Sequence, residues 1–161
     1  MKYKNALNLF AGILFAAVAL SAVPSAHAQQ CSLASVAGKW GFTTSGTVVG
    51  IGPRASVGIF TLDGAGNLLK GKATASLNGA VTEETFSGTY TMNPDCTGKL
   101  AADIFDASGN KILTITVNLV FDDNVREARG VFTSAMLPNG TPLGTVIAVE
   151  GKKIFTPQEN D

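Results

Sequence analysis

Few residues in this chain could carry nucleophilic or acid–base chemistry. The 161-residue sequence has one histidine, His27, and two cysteines, Cys31 and Cys96. His27 lies in a segment that matches an export signal, so the mature chain would have no histidine to activate a serine or cysteine. In an exported protein an even number of cysteines indicates a disulfide, and two cysteines without histidine make a poor zinc site. We therefore expect a Cys31–Cys96 disulfide, no metal ion and no cofactor.

Glu84 is the acidic residue best placed for a functional role. It has the same parity in its run as Phe86 and Tyr90, so it belongs to the apolar face of a predicted strand. Because Glu84 comes near the start of that run, a position at the rim of a barrel is favoured over a buried functional acid. The adjacent acids at 83–84 and at 122–123 point to opposite faces of a strand and do not converge through their spacing.

Two further polar residues, Glu150 and Asn118, are candidates for a lumen. Glu150 lies on the surface if Ile147 faces inward and near the lumen otherwise, and the sequence leaves both arrangements open. Convergence of Glu84, Tyr90, Asn118 or Glu150 in one cavity would indicate a cyclase- or isomerase-like enzyme. Without that convergence, an enzyme is the less favoured interpretation.

The first 28 residues match a secretory signal peptide. Lys2 and Lys4 precede an apolar segment over roughly residues 9–20, and Ala26 and Ala28 supply the small side chains of a cleavage site after Ala28. The apolar segment is too short to span a bilayer comfortably. The sequence therefore predicts a secreted or periplasmic protein with no membrane span once the signal is removed.

The mature chain has the length of one domain and a small negative charge. Cleavage leaves 161 minus 28, or 133 residues. Because Lys2 and Lys4 leave with the signal, Lys plus Arg falls from 12 to 10 against 12 Asp plus Glu, a net charge near −2. A nucleic-acid partner needs a basic face, so none is expected. We expect one domain over residues 29–155 and a polar tail at 156–161.

Eight runs typical of β-strands fill the mature chain, separated by clusters of Gly, Pro, Asn and Asp. A short helical turn at 32–37 precedes them, and Asn78-Gly79 is a strong hairpin signal. Apolar and polar residues alternate most clearly in the third, fourth and sixth runs; in the third, Leu69 and Ala73 belong to the apolar face. The runs cover residues 38–49, 54–62, 68–77, 80–92, 97–105, 111–121, 127–136 and 144–155.

Sequential strands with short turns favour an antiparallel up-and-down barrel, because closure removes both unpaired edges. Glycines within the runs suit the bends and bulges that closure needs. A β-sandwich of two sheets is the alternative fold. Ile112, Val120 and Val131 lie opposite the apolar face, which makes a homo-oligomer a further expectation.

The opening of the mature chain resembles that of calycin barrels, the superfamily of lipocalins and avidins. Gly38-Lys39-Trp40 matches their G-x-W signature, and Cys31-Ser32-Leu33 and Gly88-Thr89-Tyr90-Thr91 are similar to avidin segments. The resemblance implies that Trp40 plugs the closed end of the barrel. Avidins hold biotin with several tryptophans, and this chain has one, so the resemblance does not imply biotin binding.

A second resemblance extends over most of the mature chain. The segments Phe60–Asn67, Asn78-Gly79 and Gly88–Gly98 are similar to a group of small uncharacterised secreted bacterial proteins, some of which resemble the allene oxide cyclase-like barrel. That barrel is also of the eight-stranded calycin type. The resemblance implies the fold and no activity, since a fold does not determine function.

A barrel of eight strands encloses a lumen that is filled by side chains or holds one small ligand. The favoured function is a non-enzymatic barrel that binds a small apolar ligand. The alternatives are the cyclase- or isomerase-like enzyme and a structural or interaction module of the envelope with a filled lumen. The candidate lining shares the apolar parity of the fourth, sixth and seventh runs and comprises Phe86, Tyr90, Ile115, Val117 and Phe132.

Overall fold

Short turns return each strand antiparallel to the one before it, and the eighth strand closes on the first to form a barrel. The structure, a computed structural model, describes residues 31–122 and 124–155. A one-turn helix precedes the strands. The elements are α1 (Leu33–Val36), β1 (Gly38–Val48), β2 (Gly52–Leu62), β3 (Asn67–Leu77), β4 (Ala80–Met92), β5 (Thr97–Phe105), β6 (Lys111–Asp122), β7 (Glu127–Met136) and β8 (Thr145–Lys153).

The closed barrel of eight antiparallel strands confirms the expected fold, and the β-sandwich alternative is wrong. Local signals explain the agreement. At the predicted β3–β4 hairpin, Asn78 and Gly79 both have positive φ, 48° and 88°, as a two-residue turn matched to strand twist requires. The predicted signal peptide at 1–28 and the polar tail at 156–161 lie outside the described residues.

One strand face differs from the expectation. Alternation in β3 predicts that Leu69 faces inward with Ala73, but Leu69 is 41% exposed. The register between β3 and β4 shifts between Leu68 and Gly71, and Lys70 adopts a φ of 54°. The extra residue of this β-bulge reverses the parity, so Leu68 faces the core in place of Leu69.

Helix α1 covers one end of the barrel, which we call the capped end; the opposite end is the far end. Ser32 begins the helix with a capping box to Ser35, which satisfies backbone N–H groups that a helix start leaves unpaired. The indole Nε1 of Trp40 donates to the carbonyl of Val36 at 2.9 Å, and its ring meets Phe121 edge-on at 5.6 Å between centroids. Trp40 is 1% exposed, so it is buried beneath the helix.

The cap is tied to the barrel by a disulfide between Cys31 and Cys96, as the even cysteine count predicts. Cys96 lies in the β4–β5 turn at the capped end. Its carbonyl accepts a hydrogen bond from the N–H of Phe121, and the N–H of Cys31 donates to the carbonyl of Pro94. The chain that leads into α1 is therefore held at both its backbone and its side chain.

The Tyr90 hydroxyl also fixes the capped end. It lies within hydrogen-bond reach of two backbone carbonyls, Leu33 in α1 at 3.0 Å and Asp63 in the β2–β3 turn. Burial raises the pKa of the Tyr90 phenol above its ordinary value, and the Asp63 carboxylate adds to the shift. The neutral phenol thus links the helix, a turn and β4.

We expect Tyr90→Phe to destabilise the fold by about 1 kcal/mol, because it removes the hydroxyl hydrogen bond that joins β4 to the helix and to the β2–β3 turn. The pH dependence has a definite sign. The folded state raises the pKa of the Tyr90 phenol. The contribution of the hydroxyl to the free energy of unfolding is therefore fully present below the unfolded pKa of about 10, and it is lost as pH rises through the folded pKa. Urea unfolding of both proteins checks this: their difference should narrow above about pH 10. A difference in the free energy of unfolding that stays constant up to pH 11, or that is absent at pH 7, would contradict the role assigned to the Tyr90 hydroxyl.

Some apolar side chains are exposed on the outer surface of the barrel. Val120 and Val131 are each 53% exposed, on neighbouring strands β6 and β7. The homo-oligomer stays a prediction, since a single chain is described. Across residues 31–122 and 124–155, no helix has the length and apolar character to cross a membrane.

Candidate ligand site in the barrel lumen

The inner face of the barrel is almost entirely apolar. Strand alternation places one side chain in two toward the lumen. Trp40 and its neighbours fill the capped end, and phenyl rings and aliphatic side chains line the middle. The side chains facing the cavity include Trp40, Phe42, Phe60, Leu62, Leu68, Ala73, Phe86, Tyr90, Leu100, Ala102, Ile104, Ile115, Val117, Leu119, Phe121, Ala128, Phe132 and Val149.

Three phenyl rings meet in the lumen, and we call Phe42, Phe60 and Phe86 the phenyl cluster. Their ring centroids are 5.6, 5.6 and 6.2 Å apart, in tilted and edge-to-face arrangements. Aromatic pairs prefer such arrangements over a face-to-face stack. Phe42 packs over Gly58 and Phe86 over Gly71, where an added Cβ would clash with the ring. Glycine in the barrel wall therefore makes the space that each ring occupies.

A cavity of about 80 Å³ remains in the lumen. The phenyl cluster, Phe132 and Val149 face inward yet are only half-buried, so the void lies among them. An apolar cavity of ~150 Å³ holds benzene, and one water takes ~30 Å³ in the liquid. On the benzene scale of ~150 Å³ for six carbons, the cavity has room for about three carbon atoms, and the rest of the lumen is filled by side chains.

Polar groups gather on the far-end side of the lumen. The Arg54 guanidinium donates to the Glu84 carboxylate, Nη2 to Oε2, at 2.8 Å, and the two side chains are 12% and 6% exposed. Beside them, the hydroxyls of Thr44 and Ser56 are 2.7 Å apart and hydrogen-bonded. All four residues line the cavity. The site therefore has an apolar body and one polar, overall neutral end.

The structure places all five lining candidates, Phe86, Tyr90, Ile115, Val117 and Phe132, on the wall of the cavity. Glu84 also faces the lumen, but the expectation of a rim position is wrong, because its side chain is buried against Arg54.

Asn118 and Glu150 are not lumen groups. Both are exposed on the outer face, so their assignment as lumen polar groups is wrong. On β6 the inward residues are Val117 and Leu119, and on β8 Ile147 is buried. Strand alternation then forces the two polar side chains outward, which decides the question that the sequence leaves open for Glu150.

Sequence reasoning missed Arg54, Thr44 and Ser56. In β2 the outward positions include Val57 and Ile59, which are as apolar as the inward ones, so alternation alone identifies no inner face there. Gly58 gave a usable signal, because a glycine within a strand marks a place where a ring packs closely against the wall. Gly58 has the same parity as Arg54 and Ser56, which would have placed those two side chains on the inner face.

The candidate acid and phenol do not converge. Glu84 and Tyr90 are six residues apart on β4, about 20 Å along a strand. The Tyr90 hydroxyl is engaged at the capped end, while Glu84 pairs with Arg54 toward the far end. In the described part of the chain, no cluster of three or more His, Cys, Asp or Glu side chains is arranged to hold a metal ion.

No family model and no curated protein matches the chain. Among solved structures, EF1p2_mFAP2b bound to DFHBI has a TM-score of 0.51 at 10% sequence identity, and the match covers 77% of this chain and 100% of that one. The redesigned β-barrel mFAP1, also bound to DFHBI, has a TM-score of 0.48 at 15% identity over 76% and 98% of the two chains. The likeness to EF1p2_mFAP2b supports the barrel fold alone. The resemblance to the allene oxide cyclase-like group has no support beyond that barrel.

Proposed function

We propose that this protein binds one small, mainly apolar molecule in the lumen of its barrel. The observation that carries the proposal is the cavity of about 80 Å³ among half-buried aromatic rings. Protein interiors are packed closely and rarely leave voids larger than a water molecule. An apolar void of this size forfeits dispersion contacts on its walls, which a bound molecule would restore.

The size of the cavity limits the molecule. A ligand with an apolar part of about three carbons fits the void on the benzene scale, ~150 Å³ for six carbons. A longer one requires the rings of the phenyl cluster to rotate. The barrel of EF1p2_mFAP2b was solved with DFHBI bound, so a barrel of this fold is able to hold a ligand.

We place the protein outside the cytoplasm, secreted or periplasmic. The Cys31–Cys96 disulfide supports this, because such bonds persist in oxidising compartments. The export signal expected at 1–28 is consistent with the same location.

Filling the cavity tests the proposal. NMR titration of the wild type with cyclopropane, a three-carbon hydrocarbon, should shift the methyl signals of Ile115 and Val117 saturably. Val117→Phe should abolish this binding, because the larger side chain occupies the void that Val117 lines. The free energy of unfolding should change by less than about 1.5 kcal/mol, since the added volume has a place to go.

Val131→Phe is the matched control: it makes the same replacement on the outer face of the barrel, where Val131 is exposed, and should leave cyclopropane binding unchanged. The structural-module alternative gives the opposite result. In a filled lumen the wild type binds no cyclopropane, and Val117→Phe overpacks the core at a cost of about 1–3 kcal/mol.

A further inference from the structure

The polar end of the lumen has hydrogen-bonding capacity that the protein itself does not use. We infer that the ligand carries a neutral head group that both donates and accepts hydrogen bonds, such as a primary carboxamide, and that Arg54 and Glu84 bind it. This inference rests on the proposed function, since it assigns the polar part of the same ligand.

Arg54 supplies the donors. A guanidinium has five N–H groups, and Arg54 uses one Nη in its hydrogen bond to Glu84. Within the described residues, no other nitrogen of the Arg54 side chain has a protein hydrogen-bond partner. None of these nitrogens is among the buried unpaired atoms, so each one is accessible. Since Arg54 lines the cavity, these N–H groups open onto accessible space in the cavity or at its margin.

Glu84 supplies the acceptor. Its Oε2 accepts a hydrogen bond from Arg54. Its Oε1 accepts no hydrogen bond from the described residues and is not among the buried unpaired atoms, so it is accessible. The Thr44–Ser56 pair adds a hydroxyl proton, because whichever hydroxyl donates in that pair, the other keeps its own hydrogen. Donors and an acceptor thus lie side by side on the inner faces of β1, β2 and β4.

The charge of the site determines the class of head group. Arg54 and Glu84 are the charged side chains on the cavity wall, and their charges cancel. A carboxylate on the ligand would meet Arg54 only beside the Glu84 carboxylate, and an ammonium would meet Glu84 only beside Arg54. A ketone would pair with Arg54 but leave the Glu84 oxygen unmatched. A carboxamide matches both partners without adding charge.

Three isosteric probes test this: isobutyramide, isobutyrate and 3-methyl-2-butanone. All have the same isopropyl group, which suits the cavity, and differ only in the atom that replaces the amide nitrogen. In NMR titrations of the wild type, isobutyramide should bind at least ~10-fold more tightly than either of the others, the size expected for hydrogen bonds to charged groups. It should also shift the Arg54 Nε–H signal at saturation.

The double variant Arg54→Leu/Glu84→Leu is the matched protein control. Removing both charges together leaves neither buried alone, and such replacements are often neutral or stabilising. Its preference for isobutyramide over the ketone should fall from ~10-fold to about one. If this variant does not fold, the relative affinities of the three probes for the wild type still decide whether the site prefers an amide head group.

The outcomes separate the two proposals. Equal binding of amide and ketone, with cyclopropane still bound, overturns the head-group inference and leaves the lumen site standing. Tightest binding of isobutyrate also overturns it, in favour of an anionic ligand. If no probe, cyclopropane included, shifts the lumen signals, both proposals are wrong.

Discussion

Replacing Trp40 by alanine is expected to lower the free energy of unfolding by about 3–5 kcal/mol, the cost of truncating a large aromatic in a packed core. Trp40 is 1% exposed and lies between α1 and Phe121. The substitution removes its edge-to-face contact and leaves the Val36 carbonyl without its indole donor. Because the indole is hydrogen-bonded to the Val36 carbonyl of the helix, the cap should also lose one of its anchors to the barrel. Urea unfolding measures the change.

Phe155→Ala is the control for this variant. Phe155 is an aromatic residue that is 65% exposed, so its truncation should change stability by less than about 0.5 kcal/mol. A loss below about 1 kcal/mol for Trp40→Ala would show that the capped end is not packed as described.

Removing the disulfide should have an effect of similar size. The double variant Cys31→Ser/Cys96→Ser is expected to lose about 4 kcal/mol, because the bond closes a loop with a sequence separation of 65. In the chain-entropy account the stabilisation acts on the unfolded state, which the cross-link constrains. The folded variant should keep the barrel, since the strands pair through backbone hydrogen bonds on every side.

Chemical mapping gives the control for the disulfide. Peptide mapping without reductant should recover Cys31 and Cys96 in one linked pair. Recovery of both as free thiols from natively expressed protein would contradict the bond. A double-serine variant as stable as the wild type would contradict its energetic role.

The fold was predictable because its signals are local. Turns such as Asn78-Gly79 fix where strands end, and alternation in β4 and β6 assigns an inner face to Phe86, Tyr90 and Val117. Eight such strands with short connections leave few ways to bury the apolar faces without open edges. Neither a long-range contact nor a volume enters those arguments.

The site was only partly predictable because its decisive features are long-range. Arg54 and Glu84 come from β2 and β4, with β3 between them, so their 2.8 Å contact depends on barrel closure and tilt. The inward position of Leu68 depends on a bulge at Lys70 that reverses the parity of β3. The cavity volume is a small remainder after large side chains pack, and no residue pattern encodes it.

A crystal structure under xenon pressure would test the central claim most directly. Xenon occupies dry apolar cavities, and its position is read from electron density without any assumption about the natural ligand. We predict one ordered xenon site inside the barrel, in contact with Val117 and Phe132 and bordered by the phenyl cluster. A lumen empty of xenon, with its rings packed against one another, would contradict the account.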